Sequence, residues 1–268
     1  MTAGVLLAID GDSLAHRAYH GVPKNVRLNA VGGFANFLLR LWDSEAPESV
    51  LVGWDSLETP TYRHEALPAY QSGREFDDSI VEQLALLPPL VSAFGFLVGK
   101  AGGYEADDFL AAAAHHWPGP VLVATSDRDA FQLVSDRVSI LQPVKGVSEL
   151  AHIGPTEVRE RYGVEPHQVP DFIALRGDPS DKIPGAPGVG PKKAAEVLKQ
   201  HGSLARALAD GRFPQVADDL LLYRSIATMD ATAPLPPLAP TPPDWPRAAE
   251  HARSLGLNGL ADRLAARA

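Results

Sequence analysis

The chain has 268 residues, 45% of them hydrophobic, with 24 Lys and Arg against 33 Asp and Glu and a formal net charge of −9, enough for a large buried core in one domain or two. It contains no cysteine, which excludes disulfides, thiolate metal sites and cysteine nucleophiles. No run approaches the roughly 20 apolar residues of a membrane span, and the opening run GVLLAI lacks the length and basic flank of a signal peptide, so a cytoplasmic protein is expected.

In chain order, GVLLAID (4–10) predicts a strand ending at Asp10, and VGGFANFLLRLW (31–42) predicts a helix from its apolar spacing of three and four. SVLVGWD predicts a second strand that runs out at Asp55. SIVEQLALLPPLVSAFG (79–95) predicts a helix with a bend or break at Pro88 and Pro89. GFLVG (95–99) and RVSILQ (137–142) suit short strands. Between them, ADDFLAAAAHHW is alanine-rich and helix-prone, and PVLVATSD (120–127) is a third long apolar run, ending at Asp127. Runs apolar on successive residues suit strands buried on both faces. Their alternation with helices implies an α/β fold with a mostly parallel central sheet flanked by helices.

The acids then become informative. In an open parallel sheet, ligands bind outside the carboxyl ends of the strands, and Asp10, Asp55 and Asp127 would converge there. Asp129 follows Asp127 by two and points the same way on an extended exit. In GGYEADD (102–108), Glu105 and Asp108 are three apart at a helix start, on one face, and Asp107 reaches in from the same turn. Taken singly, an acid after a strand reads as a helix N-cap; together, massed carboxylates without His or Cys among them suit Mg²⁺ or Mn²⁺, hard ions that prefer oxygen.

Further on, RGDPSDKIPGAPGVGPKKAAEVL (176–198) adds the acidic pair Asp178 and Asp181, then Gly188, Gly190, Pro191, Lys192 and Lys193. Gly-x-Gly before a proline in the first helical turn is a tight hairpin feeding a helix N-terminus. Its backbone N–H groups and lysines suit a phosphate. Alone, this reads equally as a DNA-backbone grip or as an ordinary helix–turn–helix; beside an acidic metal site, DNA is favoured.

Taken in order, AIDGDSLAHRAYHG, GWD, YRHEALPAYQSGR, GYEADDFLA, ATSDRDAFQLV and GDPSDKIPGAPGVGPKKA resemble the 5′ nuclease family, which includes flap endonucleases and the 5′–3′ exonuclease domain of bacterial DNA polymerase I. The resemblance extends to the tail LGLNGLADRL, and the chain reads as a stand-alone 5′ nuclease with no polymerase attached. It implies a PIN-like nuclease core over residues 1–165, and over 166–268 a helical region carrying a helix-hairpin-helix-type DNA-binding motif. The proline-rich stretch 234–246 and the C-terminal tail would pack back on the core. It implies that Asp10, Asp55, Glu105, Asp107, Asp108, Asp127 and Asp129 are catalytic metal-site acids, and that Asp178 and Asp181 hold a more distant ion. Two or more Mg²⁺ or Mn²⁺ ions, roughly 4 Å apart, would act on the scissile phosphate, with a K⁺ ion at the hairpin.

The resemblance also makes residues 59–78 a helical arch over the active site, although composition alone suits a plain surface loop. Tyr70 and Arg74 match its Tyr-Lys-x-x-Arg pattern, and Gln71 stands where the lysine belongs. Lys182 replaces the usual Asn after Asp181. Arg17, Arg63 and Arg74 join Lys192 and Lys193 as DNA-binding cations, and Tyr19 would stack on a base or sit in the core. His16 is expected to pack, and His115 and His116 to lie on the surface or at the helix C-terminus. The acidic balance runs against nucleic-acid binding, but with the nine metal-site acids set aside, 24 acids face 24 Lys and Arg. The expected substrates are DNA with 5′ flaps, overhangs or branched junctions, cut by a monomer that could partner DNA polymerase I or another repair protein. Two alternatives stand beside this reading. One is a DNA-structure binder with chemistry weakened at Gln71; the other is a PIN-type RNase.

Overall fold

A computed structural model describes residues 3–56, 58–73, 76–145 and 149–268. Its sheet contains strands β1 (Leu6–Asp10), β2 (Ser49–Gly53), β3 (Leu97–Gly99), β4 (Val121–Ala124), β5 (Val138–Lys145) and β6 (Glu149–Ile153), in the order β3-β2-β1-β4-β5-β6. All neighbours pair in parallel except β5 and β6, which form an antiparallel edge. Of these, β6 left no sequence signal. It is a short, half-exposed hairpin strand at the sheet edge, carrying Glu149 and His152, and needs an apolar residue only at the buried Ile153.

Burial on both faces explains the continuous apolar runs. Leu6 and Ala8 of β1 enter one core cluster, and Leu7 and Ile9 enter the other, as alternating side chains must. The second cluster is roofed by α1 (Gly11–Gly21), α2 (Asn29–Glu45), α4 (Asp78–Ala93), α11 (Trp245–Ser254) and α12 (Asn258–Ala265). The first is covered by α5 (Ala106–His116), α6 (Pro155–Tyr162), α7 (Val169–Arg176), α8 (Pro191–His201), α9 (Leu204–Ala209) and α10 (Ala217–Ala227). The short α3 (Tyr62–Ala66) lies in the expected arch segment.

Of the bend or break expected at Pro88 and Pro89, the break does not occur: α4 runs through both. Leu87 before the pair and Leu90 and Val91 after it are fully buried, and their packing offsets the hydrogen bonds the prolines cannot donate. The proline-rich stretch lies against β2 and the end of α4. Thr241 N donates to the Glu48 carbonyl, Val50 N donates to Thr241 Oγ1 at 2.8 Å, and Asp244 N donates to the Phe94 carbonyl. Among the described residues, no helix is long and apolar enough to cross a membrane.

Candidate active site

Because β2, β1 and β4 are neighbours with a common direction, Asp55, Asp10 and Asp127 leave the sheet side by side at its carboxyl edge. Chain order reverses between β1 and β4, the place where such sheets form a crevice. A cleft of about 630 Å³ opens there, and its walls include Asp10, Asp12, Asp55, Glu105, Asp107, Asp127, Asp129, Asp178 and Asp181.

Each acid has a local reason for its place. Asp10 is both N-cap and cleft residue: Oδ1 accepts from Ser13 N at 2.9 Å and Oδ2 from the Thr125 hydroxyl at 2.7 Å. Gly53 lets α5 approach the end of β2, since a Cβ there would meet the Ala106 carbonyl oxygen at 2.5 Å. Asp55 Oδ1 then accepts from Ala106 N at 2.8 Å and binds the two elements together. Asp127 N donates to Thr125 Oγ1, and Asp129 N to Asp127 Oδ1. On the far wall, Asp178 and Ile183 exchange backbone hydrogen bonds of 2.8 and 2.9 Å. Gly185 (φ 75°) backs so closely on Gly177 that a Cβ would lie 2.4 Å from the Gly177 nitrogen. That contact fixes the 178–183 loop, which places Asp178 and Asp181 in the cleft wall.

A cation does sit among the acids of GGYEADD, and it is Arg63. Its guanidinium is 2% exposed and lies 3.1 Å from Glu105 Oε2, 3.2 Å from Asp107 Oδ2 and 2.8 Å from Asp108 Oδ1. Its Nε–H donates to the Ile226 carbonyl. Arg63 is therefore not a surface DNA grip; three carboxylates that would otherwise repel in the interior hold it in place.

Asp108 is corrected with it. The sequence places Asp108 on the same face as Glu105, yet the residue is fully buried (0% exposed) and does not line the cleft. Its oxygens accept from Arg63, Glu105 N, Asp230 N and the Tyr62 hydroxyl, so its bonding is spent on the core. Asp107, one residue earlier on the helix, turns to the cleft instead.

Of two aromatic residues, Tyr19 takes its core alternative and Tyr70 is displaced from expectation. Tyr19 is buried, with its hydroxyl donating to Asp77 Oδ2 at 2.7 Å, so it has no face for a base. Tyr70 is buried and donates to Glu105 Oε2 at 3.0 Å. Gln71 donates through Nε2 to Tyr70 Oη and Asp181 Oδ1. With Thr61 and Arg63 also buried, the described part of 59–78 is a wall of the cleft, not a plain surface loop. Arg74 lies outside the described residues. Arg17 is half-buried and donates to the Val144 carbonyl. His16 lies 5.0 Å, ring to ring, from the exposed Phe76 at the cleft wall.

Sequence reasoning missed Asp12. It stands in the first turn of α1, buried, and its Oδ2 accepts from Asp55 N at 2.7 Å. The Asp-x-Asp spacing of residues 10 and 12 repeats that of 127 and 129 and was the available signal. Arg176 was missed as well; it pairs with Asp178 at 3.0 Å.

Electrostatics set the cleft apart. Burial, then the charges of Asp55 and Asp127, push the Asp10 carboxyl up to about 7. Burial first, and neighbouring acids after it, hold Asp12, Asp107 and Asp129 well above the usual carboxylate range. Glu105 is raised by burial against the opposing pull of Arg63. Asp107 Oδ1 is buried with no hydrogen-bond partner. Massed acids that favour protons and an orphaned carboxylate oxygen fit divalent cations, which would replace the protons. Among the described residues, no three acids are gathered as ligands of one ion.

Away from the cleft, Gly188 (φ 69°) and Gly190 have open space where a Cβ would stand. Val189 between them is buried, and Lys192 and Lys193 are exposed on the first turn of α8, whose N-cap Gly190 makes no side-chain cap. The hairpin is thus anchored from below by Val189 and leads into a helix N-terminus, with Lys193 Nζ donating to the Gly188 carbonyl at 3.5 Å.

Residues 5–163 match the family model of the 5'-3' exonuclease N-terminal resolvase-like domain, and residues 164–241 match that of the 5'-3' exonuclease C-terminal SAM fold. A 5'-3' exonuclease of Streptomyces coelicolor is 34% identical over 295 residues, covering 96% of this chain and 98% of that protein. DNA polymerase I of Mycobacterium tuberculosis is 43% identical over 216 residues, covering 76% of this chain and 24% of the polymerase. The chain therefore spans about a quarter of the length of that polymerase relative. Among solved structures, phage T5 5'-exonuclease with bound zinc aligns with a TM-score of 0.70 at 18% identity, covering 97% of this chain and 96% of that one. Human GEN1 in complex with Holliday junction DNA aligns at 0.63 and 12% identity, covering 98% and 71%. These last two likenesses establish the shared fold. The family models and the Streptomyces relative lead to one conclusion: the chain belongs to the 5'-3' exonuclease family.

Proposed function

We propose that the protein is a structure-specific 5′ nuclease that hydrolyses phosphodiester bonds in DNA, as a 5′–3′ exonuclease and 5′-flap endonuclease, with divalent cations held by the cleft acids. The observation that carries this reading is the convergence of acids from three strand ends, one helix start and one loop on a single cleft with an orphaned carboxylate oxygen. Asp10, Asp55, Glu105, Asp107, Asp127 and Asp129 are the acids for the first ions, with Asp12 added to their number. Asp178 and Asp181 serve a further ion on the opposite wall. Mg²⁺ or Mn²⁺ fits these ligands, and K⁺ is the candidate at the hairpin. Bound there, the divalent ions supply a Lewis acid for the phosphate and a water of lowered pKa.

The remaining work belongs to the chain. Arg63 orients Glu105 and Asp107 from behind, and Thr125 orients Asp10. The hairpin amides with Lys192 and Lys193 grip duplex phosphates without reading sequence, outside the carboxylate cleft. The protein is proposed to act as a cytoplasmic monomer on flaps, overhangs and branched junctions, with a repair polymerase as partner.

The test uses a 5′-labelled flap duplex with Mg²⁺, Mn²⁺ or EDTA. Release of short labelled products with either ion and none in EDTA is expected. Tight binding without cleavage under every condition would instead make it a DNA-structure binder, and neither binding nor cleavage of this DNA would favour the RNase reading.

A further inference from the structure

Gln71 lies where the 59–78 segment meets the acid-bearing loop after α7. Its φ is 48°, in the left-handed region that disfavours a residue with a Cβ. Across the join, Lys182 is also left-handed, at 58°. Two residues in that region at one contact need something to hold them, and the hydrogen bonds supply it. Gln71 N donates to the Asp181 carbonyl at 3.3 Å. Gln71 Nε2 spends one hydrogen on Asp181 Oδ1 at 3.1 Å and the other on Tyr70 Oη at 2.8 Å. Tyr70 Oη donates in turn to Glu105 Oε2 at 3.0 Å. An unbroken chain of hydrogen bonds therefore joins Asp181 on one wall of the cleft to Glu105 on the other.

We propose that Gln71 is a positioning residue: a neutral clasp that fixes Asp181 relative to Glu105 and links the seating of the 68–73 turn to cation occupancy at the 178–183 loop. The proposal rests on the metal-site reading above. Neutrality matters to it. An amide donates to Asp181 and leaves the carboxylate its full charge for a cation, whereas an ammonium in the same place would pair with Asp181 and compete. Linkage is reciprocal: if the clasp favours the cation, the cation favours the clasp.

The experiment uses the full-length, DNA-free protein, with free Mn²⁺ followed by electron paramagnetic resonance and amide hydrogen exchange read over residues 68–73. Gln71→Met keeps the volume and removes both donors; Gln71→Lys keeps donors and adds charge. In the wild type, Mn²⁺ is expected to slow exchange in the turn. Gln71→Met should weaken the weaker Mn²⁺ site by about tenfold or more, the scale of outer-shell losses, and abolish the Mn²⁺-dependent slowing. Gln71→Lys should also weaken Mn²⁺, and less so at high salt. A wild-type isotherm for either folded variant would overturn the clasp, even with faster exchange, because the turn would then be merely structural. No Mn²⁺ binding by the wild type would overturn the metal-site reading and the clasp with it.

Discussion

Arg63→Met is the most direct probe of how the acids are tolerated. The substitution keeps much of the side-chain volume and removes a guanidinium that reaches Glu105, Asp107 and Asp108 at 3.1, 3.2 and 2.8 Å. Asp108 is wholly buried, so water cannot replace the lost partner. Removing one member of such a buried pair costs about 3–5 kcal/mol. For a chain of this size each kcal/mol moves Tm by roughly 2–4 °C, so a fall on the order of 10 °C is expected. Differential scanning calorimetry in EDTA measures it without cation effects. The double variant Arg63→Met/Asp108→Asn separates charge from packing. The amide oxygen still accepts from Asp230 N and the Tyr62 hydroxyl, but no buried charge is left at 108. About 2 kcal/mol should return, within the range of couplings between contacting residues. If Arg63→Met shifts Tm by less than about 2 °C, or the double variant is no more stable than the single, the guanidinium is not what holds these acids in the core.

Asp12→Asn should act in the opposite direction: it keeps an acceptor for Asp55 N while relieving buried repulsion, so metal-free Tm should rise by about 2–4 °C, and a fall in calorimetry would refute this. Asp127→Asn or Asp129→Asn should cut cleavage of flap DNA by about 10²-fold or more and leave DNA binding intact; single-turnover rates within tenfold of wild type would remove these residues from the catalytic set. Lys192→Ala with Lys193→Ala should weaken duplex binding for every sequence and flatten the plot of log K against log salt by about one unit per lost phosphate contact. An unaltered slope would leave the hairpin a structural turn. Adding Mg²⁺ to metal-free protein should raise Tm in proportion to RT ln(1 + [L]/Kd), and a Tm independent of Mg²⁺ would argue that the folded cleft holds no such ion.

The strands were legible because burial on both faces leaves no room for polar residues, so Leu6 to Ile9 and Val50 to Val52 read as strands without alternation. β6 was not legible, because an exposed edge strand imposes no such pattern. That the Pro pair leaves α4 unbroken was illegible for a related reason. Local rules price the missing hydrogen bonds, while the burial of Leu87, Leu90 and Val91 that outweighs them is a property of the assembled sheet. The site was legible wherever an acid ended a strand, since strand direction alone carries Asp10, Asp55 and Asp127 to one edge. It was illegible where function depended on rotation about a helix or on partners distant in sequence. Nothing local tells Asp107 from Asp108, and nothing local says that Arg63 or Tyr70 turns inward.

That last distinction explains how so acidic a group can fold. The acids at the start of α5 divide between two kinds of compensation. Asp108 faces inward and is matched by a guanidinium and backbone amides, a permanent arrangement completed on folding. Asp10, Asp12 and Asp129 face the cleft, where burial and mutual repulsion raise their affinity for protons and, by the same electrostatics, for cations. The boundary passes through Asp107: Oδ2 is paired with Arg63 at 3.2 Å, and Oδ1 has no partner. Arg63 thus lets the protein carry the acids at the start of α5 through folding while keeping one oxygen of Asp107 uncommitted. A second buried cation would stabilise the fold further and compete for the charge that the cleft offers to a metal ion.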